Sequence, residues 1–147
     1  MILSGPTIAR LNILDPCYPK YHKAGISGGL SYCGYDLCLF SDVSVFAGKY
    51  ALAVAEERFT MPNNVVGFIH DKSTWARMGL MVQNTVVEPG WKGYLTLELT
   101  NHSEVFIEIA AGTPIAQVVF SYIDEPSEGY SGKYQNQGAY IQEALLG

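Results

Sequence analysis

The chain has 147 residues, 48% of them hydrophobic and 16% charged, and a formal net charge of -5. This length is typical of one domain, so we expect a single domain over residues 1–147. The acidic balance argues against DNA or RNA as a partner because polyanion binding needs a broad basic patch, whereas a few local cations suffice for a small anionic ligand. No apolar run could span a bilayer, and the first residues lack the pattern of a signal peptide, so we expect a cytoplasmic protein without a membrane partner.

The predicted elements begin with a short helix near Ser4 or Gly5, where Pro6 suits the first turn. Short apolar runs punctuated by Gly, Pro, Asn and Asp follow, and they indicate the strands of an all-β sandwich or barrel. These runs are YDLCLF, SVFAGKYALAVA, VVGFIH, YLTLEL, VFIEIA and PIAQVVF. A second short helix is predicted to begin at Ser73 or Thr74 and to end at Gly79.

The predicted strand from Tyr94 to Thr100 alternates clearly. Leu95, Leu97 and Leu99 share one face, which predicts that Glu98 lies on the opposite face. Taken alone, this pattern indicates a solvated acidic residue on a sheet surface. A carboxylate in a binding site is the alternative, and neighbouring motifs have to decide between them.

Three cysteines, Cys17, Cys33 and Cys38, are too irregularly spaced for a disulfide framework, so we expect reduced, buried thiols. Zinc deaminases carry an H-x-E element and a P-C-x-x-C element. Neither is present, and the three histidines have no ligand-like partner in sequence. We therefore expect no zinc site.

The segment from Lys72 to Arg77 reads KSTWAR and predicts an anion site. A helix start offers free backbone N–H groups, the hydroxyls of Ser73 and Thr74 add donors, and Lys72 and Arg77 add positive charge. An ordinary capped helix with solvated basic ends is the alternative for this motif in isolation.

In order along the chain, several motifs resemble the deoxycytidine triphosphate (dCTP) deaminase branch of the trimeric deoxyuridine triphosphatase (dUTPase) superfamily. They are SYCGYDL at residues 31–37, ERFTMP at 57–62, KSTWARMG at 72–79, EPGWKG at 88–93, LE at 97–98, GTPIAQVVF at 112–120 and GKYQNQ at 132–137. The ordered combination is more specific than any one motif. Lys72 and Glu88 stand where the family commonly has arginine and aspartate, and the segment between Asp36 and Ala51 is shorter than is usual.

The resemblance implies a distorted jelly-roll β-barrel, assembled as a homotrimer with active sites at subunit interfaces. It implies hydrolysis of dCTP to dUTP and ammonia, without zinc, with Mg²⁺ bound through the triphosphate. The implied catalytic residues are Glu98, Ser73 and Arg77. The implied substrate-binding residues are Lys72, Thr74, Glu88, Trp91, Gln117, Tyr130, Lys133, Tyr134 and Gln137. Residues 126–147 would form a tail that closes over the active site.

Other interpretations remain open at this point. Glu88 could support dUTP diphosphatase activity, alone or beside deamination, and a non-catalytic nucleotide-sensing or protein-binding jelly roll is a further alternative. Trp91 could be a core aromatic instead of a pocket residue, and the tail could be a disordered polar end. The compact size suggests a phage or viral source, and the sequence does not determine whether a C5-modified dCTP is the substrate or whether dTTP inhibits the enzyme.

Overall fold

The structure is a computed structural model that describes residues 1–147. It contains two short helices and twelve strands. The helices are α1 (Gly5–Arg10) and α2 (Ser73–Ala76). The strands are β1 (Leu14–Asp15), β2 (Tyr21–Lys23), β3 (Ile26–Leu30), β4 (Tyr35–Cys38), β5 (Val43–Val45), β6 (Tyr50–Thr60), β7 (Val65–Asp71), β8 (Leu80–Val82), β9 (Val86–Val87), β10 (Lys92–Asn101), β11 (Ile107–Ile109) and β12 (Pro114–Tyr122).

The strands form three antiparallel sheets. A four-stranded sheet has the order β1-β6-β10-β8, a six-stranded sheet has the order β2-β3-β4-β12-β7-β9, and β11 pairs with β5. An isolated bridge between Leu39, which follows β4, and Ala55 of β6 connects the two large sheets, which enclose a shared core. The predicted all-β jelly-roll architecture with one or two short helices is therefore confirmed.

Apolar side chains from both large sheets meet in one core. Phe59 of β6 contacts Trp91 and Phe120 of β12, with ring centroids 5.7 and 6.3 Å apart. Leu37 of β4 and Leu97 of β10 are fully buried in the same cluster. This packing fixes the position of the β10 strand, because its inward side chains interlock with the opposite sheet.

Both predicted helices are present. Helix α1 begins after Ser4, whose Oγ accepts a hydrogen bond from the Thr7 N–H. Helix α2 begins at Ser73, as predicted, but regular helical bonding ends at Ala76, earlier than predicted. The chain stays coiled to Gly79, where φ is +89°, through tighter bonds between residues three apart. Neither helix is long and apolar enough to cross a membrane.

The β10 strand departs from the predicted alternation at one residue. A register shift against β6 lies between Tyr94 and Thr96, so Leu95 does not share the fully buried environment of Leu97 and Leu99. The extra residues lie on β6, where residues 55–57 stand opposite the single residue Leu95. Leu95 packs against the core, as predicted, but it is only partly buried and also lines the same cavity as Glu98.

The three cysteines differ in environment. Cys38 is buried, as expected, whereas Cys17 is half-buried and Cys33 is exposed. The expectation of three buried thiols was therefore wrong for Cys33. Burial raises the pKa of the Cys38 thiol to about 11, so this sulfur is held as an unreactive thiol at neutral pH.

Candidate active site

A cavity of about 780 Å³ lies against the outer face of β6 and β10. Its wall is completed by the loop that follows β8 and by the last part of the chain. The lining residues are Tyr50, Leu52, Asn84, Thr85, Val86, Val87, Glu88, Trp91, Leu95, Thr96, Glu98, Tyr130, Tyr134, Gln137, Gln142, Glu143 and Ala144. We call this space the Glu98 cavity. Its volume is in the range of small-molecule sites.

Glu98 lies half-buried in this cavity on the outward face of β10. Leu52 of β6 stands directly opposite it in the sheet register. Removal from water raises the pKa of the Glu98 carboxyl, because a low-dielectric environment disfavours the charged form. No Lys, Arg or His lines the cavity to offset this effect. A carboxyl group with a raised pKa is suited to accept and return a proton near neutral pH.

Trp91 is both a core residue and part of the cavity wall, so the two interpretations of its role are not exclusive. It is only 5% exposed and packs on Phe59, and it is also one of the residues that line the cavity. Its indole N–H donates to the Tyr134 carbonyl oxygen over 2.7 Å. The tryptophan therefore anchors the C-terminal segment to the sheet and forms part of the cavity wall.

The C-terminal segment is folded onto the same chain's β10 strand. Gln137 pairs with Gly93 in a parallel bridge, and its side-chain Nε2 donates to the Thr96 Oγ1 over 3.1 Å. The Gln142 N–H donates to the same hydroxyl oxygen over 3.2 Å. Tyr130 and Tyr134 also line the cavity. The Thr96 hydroxyl, two residues from Glu98 on the same face, thus accepts hydrogen bonds from two residues of the C-terminal segment.

Helix α2 and its flanking residues lie outside the Glu98 cavity. Ser73, Thr74 and Arg77 are exposed, and none of them lines the cavity of its own chain. Arg77 forms no ion pair, since the only ion pair in the chain joins Lys72 and Asp36. We call this short segment, Ser73 to Arg77, the Ser73 helix. It offers hydroxyls and one free guanidinium to whatever molecule approaches it.

Lys72 and Gln117 belong to a polar cluster beneath the Ser73 helix. The Lys72 ammonium, 8% exposed, lies 3.0 Å from an Asp36 carboxylate oxygen and donates to the Ser27 hydroxyl over 3.1 Å. The Gln117 amide donates to the Ser31 hydroxyl over 3.2 Å. These contacts tie the start of α2 to strands β3, β4 and β12.

The predicted site residues therefore fall into two groups. The cavity brings together Glu88, Trp91, Glu98, Tyr130, Tyr134 and Gln137. Outside it lie Lys72, Ser73, Thr74, Arg77, Gln117 and Lys133. The Lys133 ammonium donates to the Leu145 carbonyl oxygen and lies 5.5 Å from the Tyr134 ring centre. Lys133 therefore connects two parts of the C-terminal segment to each other.

Sequence reasoning missed several cavity residues, among them Asn84, Thr96 and Gln142. Thr96 could have been found from its parity with Glu98 on one strand. Asn84 gave no such signal, because it lies in a loop whose position depends on the fold. Its Oδ1 accepts a hydrogen bond from the Glu98 N–H, and its Nδ2 donates to the Thr96 carbonyl oxygen, both over 2.8 Å.

A second buried carboxyl group, Glu57, lies outside the cavity. It is fully buried on β6, and both its oxygens lie 3.1 Å from the Cys38 N–H, which donates to them. Desolvation raises the pKa of Glu57 to about 8. Cys38, Glu56 and Glu57 are the only His, Cys, Asp or Glu side chains grouped closely enough to share a metal ion, and none lines the cavity.

Comparison with known proteins places this fold and motif order in a family. Residues 41–123 match the family model described as dCTP deaminase-like. The dCTP deaminase of Campylobacter lari is 32% identical over 169 aligned positions, which cover 92% of this chain and 91% of the relative. Because 92% of this chain is about 135 residues, about 34 of the 169 aligned positions are insertions in the relative.

Solved structures agree with this fold. The dCTP deaminase of Agrobacterium tumefaciens matches with a TM-score of 0.67 at 16% identity, over 84% of this chain and 49% of that one. A mutant dUTPase from phage phi11 of S. aureus, in which a structural Mg(II) ion is coordinated, matches with a TM-score of 0.61 at 15% identity, over 83% of this chain and 98% of that one. The chain belongs to the dCTP deaminase-like family.

Proposed function

We propose that this protein hydrolyses the 4-amino group of dCTP, giving dUTP and ammonia. The observation that carries the proposal is Glu98. It is a half-buried carboxyl group on a strand, it faces a nucleotide-sized cavity, and its pKa is raised by desolvation. A pure binding site gains nothing from such a group, whereas proton transfer during hydrolysis requires one.

The reaction needs two proton transfers at one position. In our proposal, the Glu98 carboxylate takes a proton from the water that attacks C4 of the cytosine ring, and the proton passes to N3. The resulting tetrahedral carbon then expels the amino group as ammonia, with the remaining water-derived proton delivered through the same carboxyl group. The atoms balance as dCTP plus water giving dUTP plus ammonia.

The cavity of one chain lacks the positive charge that a triphosphate requires. Its charged lining residues are Glu88, Glu98 and Glu143, so phosphate groups would meet repulsion there. We therefore propose that a second protomer brings its Ser73 and Arg77 to the Glu98 cavity within a homotrimer, in a closed rotational assembly. The exposure of the Ser73 helix and the unpaired state of Arg77 support this arrangement.

In the assembled site, Ser73 would orient the attacking water and Arg77 would stabilise the charge that develops at C4. Thr74 would contribute to the phosphate side, and Lys72 and Gln117, bonded within the polar cluster beneath, would hold the Ser73 helix in place. Lys133, on the tail, would reach the triphosphate after releasing its contact with the Leu145 carbonyl. Trp91 and Glu88 would line the base and sugar. These roles are part of the proposal.

Magnesium enters this proposal as part of the substrate. Mg²⁺ prefers oxygen ligands and is commonly bound through substrate phosphates with one or two carboxylates. The cavity supplies such oxygens from Glu88 and Glu143 and offers no competing nitrogen or sulfur ligand. When bound, the ion would offset charge between these carboxylates and the phosphate groups.

A second function is favoured by one specific observation. Glu88 is exposed beside the Pro89 turn and lines both the Glu98 cavity and the smaller depression next to it. A carboxylate there could activate water for attack on the α-phosphate, which would make the protein a dUTP diphosphatase, alone or in addition to its deaminase activity.

Product analysis tests these functions together. The protein would be incubated with Mg²⁺ and each pyrimidine deoxynucleoside triphosphate, and products would be separated by ion-exchange chromatography. Deamination gives ammonia with the triphosphate retained. Diphosphatase action gives pyrophosphate and a monophosphate. Binding of dCTP with neither product would overturn both and favour a nucleotide-sensing role.

A further inference from the structure

At the edge of β10 next to Glu98, the backbone pairing ends early and a side chain continues it. Strand β8 pairs with β10 through only three residue pairs, from Leu80–Val82 to Leu99–Asn101. The Gln83 N–H then donates to the Glu98 carbonyl oxygen over 2.9 Å. Beyond that bond, no backbone group of the loop continues the pairing, and the Asn84 side chain takes over.

The Asn84 side chain substitutes for a missing peptide group. Its Oδ1 accepts from the Glu98 N–H and its Nδ2 donates to the Thr96 carbonyl oxygen, each over 2.8 Å. A side-chain amide carries the same donor and acceptor as a backbone amide, so it can satisfy two strand groups at once. Without it, both groups would lie at a partly buried edge with no partner.

This substitution also shapes the cavity. Because a side chain completes the ladder, the backbone from Thr85 to Val87 is free to leave the sheet and form the cavity wall. On the other edge of β10, pairing with β6 is continuous from Thr96 to Thr100. On the open edge, the Gln83 N–H holds the Glu98 carbonyl, and the Asn84 side chain holds both the Glu98 N–H and the Thr96 carbonyl.

We propose that Asn84 is a positioning residue that holds the backbone of Glu98 in register with the cavity wall, so that the carboxyl group meets the pyrimidine ring at the reactive carbon. The proposal rests on the deaminase function proposed above. It assigns no contact between Asn84 and substrate. Its effect is transmitted through the Glu98 and Thr96 backbone groups.

The choice of a neutral amide at this position has an electrostatic consequence. Asn84 satisfies the backbone beside Glu98 without adding a charge. The other titratable groups lining the cavity around Glu98 are Tyr50 on β6, Glu88 before β10, and Tyr130, Tyr134 and Glu143 on the tail. An aspartate at position 84 would add a further negative charge to this set, which favours the protonated form of Glu98.

Three variants test the proposal. Asn84→Ala removes both hydrogen bonds and should lower kcat for dCTP about 10- to 100-fold with KM changed less than about threefold, because a small misplacement of a reacting group costs this much. Asn84→Asp keeps the shape and the acceptor but should move the acidic limb of the kcat profile upward by about one pH unit. Gln83→Ala is the matched control, since this neighbouring exposed side chain bonds only the Thr100 hydroxyl.

The outcomes separate this proposal from the proposed function. Unchanged kcat and an unchanged pH profile in folded Asn84→Ala and Asn84→Asp would overturn the positioning role while deamination by the wild type stands. An equal kcat loss in Gln83→Ala would overturn it as well. Should Asn84→Ala not fold, the isosteric Asn84→Asp carries the test.

A titration that needs no turnover tests Asn84 even if the wild-type protein is inactive. The Glu98 carboxyl would be titrated by carbon-13 NMR in the wild type and in Asn84→Asp, with Glu98→Gln used to assign the signal. If the wild-type protein releases no ammonia, the proposed function fails, and the titration alone decides about Asn84. The same titration in Asn84→Ala, which adds no charge, separates positioning from electrostatics: a Glu98 titration that moves in Asn84→Ala but not in Gln83→Ala supports the positioning role, and one identical to the wild type refutes it.

Discussion

The Glu98 cavity and the Ser73 helix differ in almost every chemical respect. The cavity contains three carboxylates and aromatic walls but no cation. The Ser73 helix presents hydroxyls and the unpaired Arg77 on an open surface without a cavity of its own. One region can transfer protons and hold a ring, and the other can bind an anion. The contrast teaches that neither region alone is a complete site for a nucleoside triphosphate, which is why we propose that the two meet between chains.

The largest effect is expected from the cavity side of this comparison. Glu98→Gln keeps the size and hydrogen bonding of the side chain but removes the proton acceptor, so ammonia release from dCTP should fall about a thousandfold. Nucleotide affinity should change little. Glu108→Gln, an exposed glutamate on β11, is the matched control. Near-normal ammonia release by Glu98→Gln, followed in a coupled ammonia assay, would show that another group performs the proton transfer.

The second largest loss of activity is expected from a substitution in the Ser73 helix. Arg77→Ala should lower kcat about 100- to 1000-fold, because it removes charge stabilisation at the reacting carbon. If the site is shared, unfolding and refolding Glu98→Gln and Arg77→Ala together at equal amounts should restore activity. Random assembly would give about a quarter of sites one intact Glu98 and one intact Arg77. Refolding each variant alone is the control, and absence of recovery in mixed oligomers would place both groups in one chain.

A smaller effect is expected where the tail joins the cavity. Thr96→Val keeps the shape of the side chain but removes the oxygen that accepts from Gln137 and Gln142. The docked tail should loosen, and KM for dCTP should rise about five- to tenfold, which corresponds to roughly one net hydrogen bond. Thr100→Val, on the same strand face but outside the cavity lining, is the control. Steady-state kinetics at fixed Mg²⁺ would measure both, and an unchanged KM would contradict the role of the tail.

Substitution of Glu57, a buried carboxyl group outside the cavity, is expected to change stability and not the deamination reaction, in contrast to substitution of Glu98. Burial raises the pKa of Glu57 from its ordinary value of 4.5 to about 8, among neighbours Cys17, Tyr21, Cys38 and Glu56. The folded state therefore binds a proton that the unfolded state has released. The stabilisation from this proton is complete below about pH 4.5 and is lost as the pH rises through about 8.

The free energy of unfolding of the wild type should accordingly fall by about 3–4 kcal/mol between pH 5 and pH 8.5 from this group. Glu57→Gln, which is neutral throughout, should lack this decline, so the two stability curves should converge at low pH and separate at high pH. Urea unfolding monitored by fluorescence would measure it. Parallel curves across the range would mean that Glu57 is ionised in the native protein.

Much of the fold was predictable from local pattern. Short apolar runs with turn residues indicated the strands, and Ser4 and Ser73 marked the helix starts. The alternation of β10 did not reveal that Leu95 is only partly buried and also lines the cavity, because a bulge depends on the pairing of two strands distant in sequence and leaves no mark in one strand. For the same reason the sequence could not reveal that Asn84 completes the β10 edge.

The candidate site was predictable in part. Motif order singled out Glu98, Trp91 and the tail, which the fold brings together. It also singled out Lys72, whose ammonium lies in a buried ion pair with Asp36. Charge and spacing in a sequence do not disclose whether a cation faces solvent or a carboxylate, since the partner comes from another strand. The assembly that we propose for the two regions likewise depends on contacts between chains, which the pattern of one sequence does not disclose.

The tail reaches the β10 edge only because residue 93 has no side chain. A Cβ atom on Gly93 would stand 2.7 Å from the backbone nitrogen of Gln137 and 2.9 Å from its carbonyl oxygen, and the φ of +144° is one that other residues rarely adopt. A methyl group at this position would push the Gln137 backbone away from β10 and widen the Glu98 cavity at this point. A larger residue at position 93 would therefore uncouple the C-terminal segment from β10 and leave the Glu98 cavity without part of its wall.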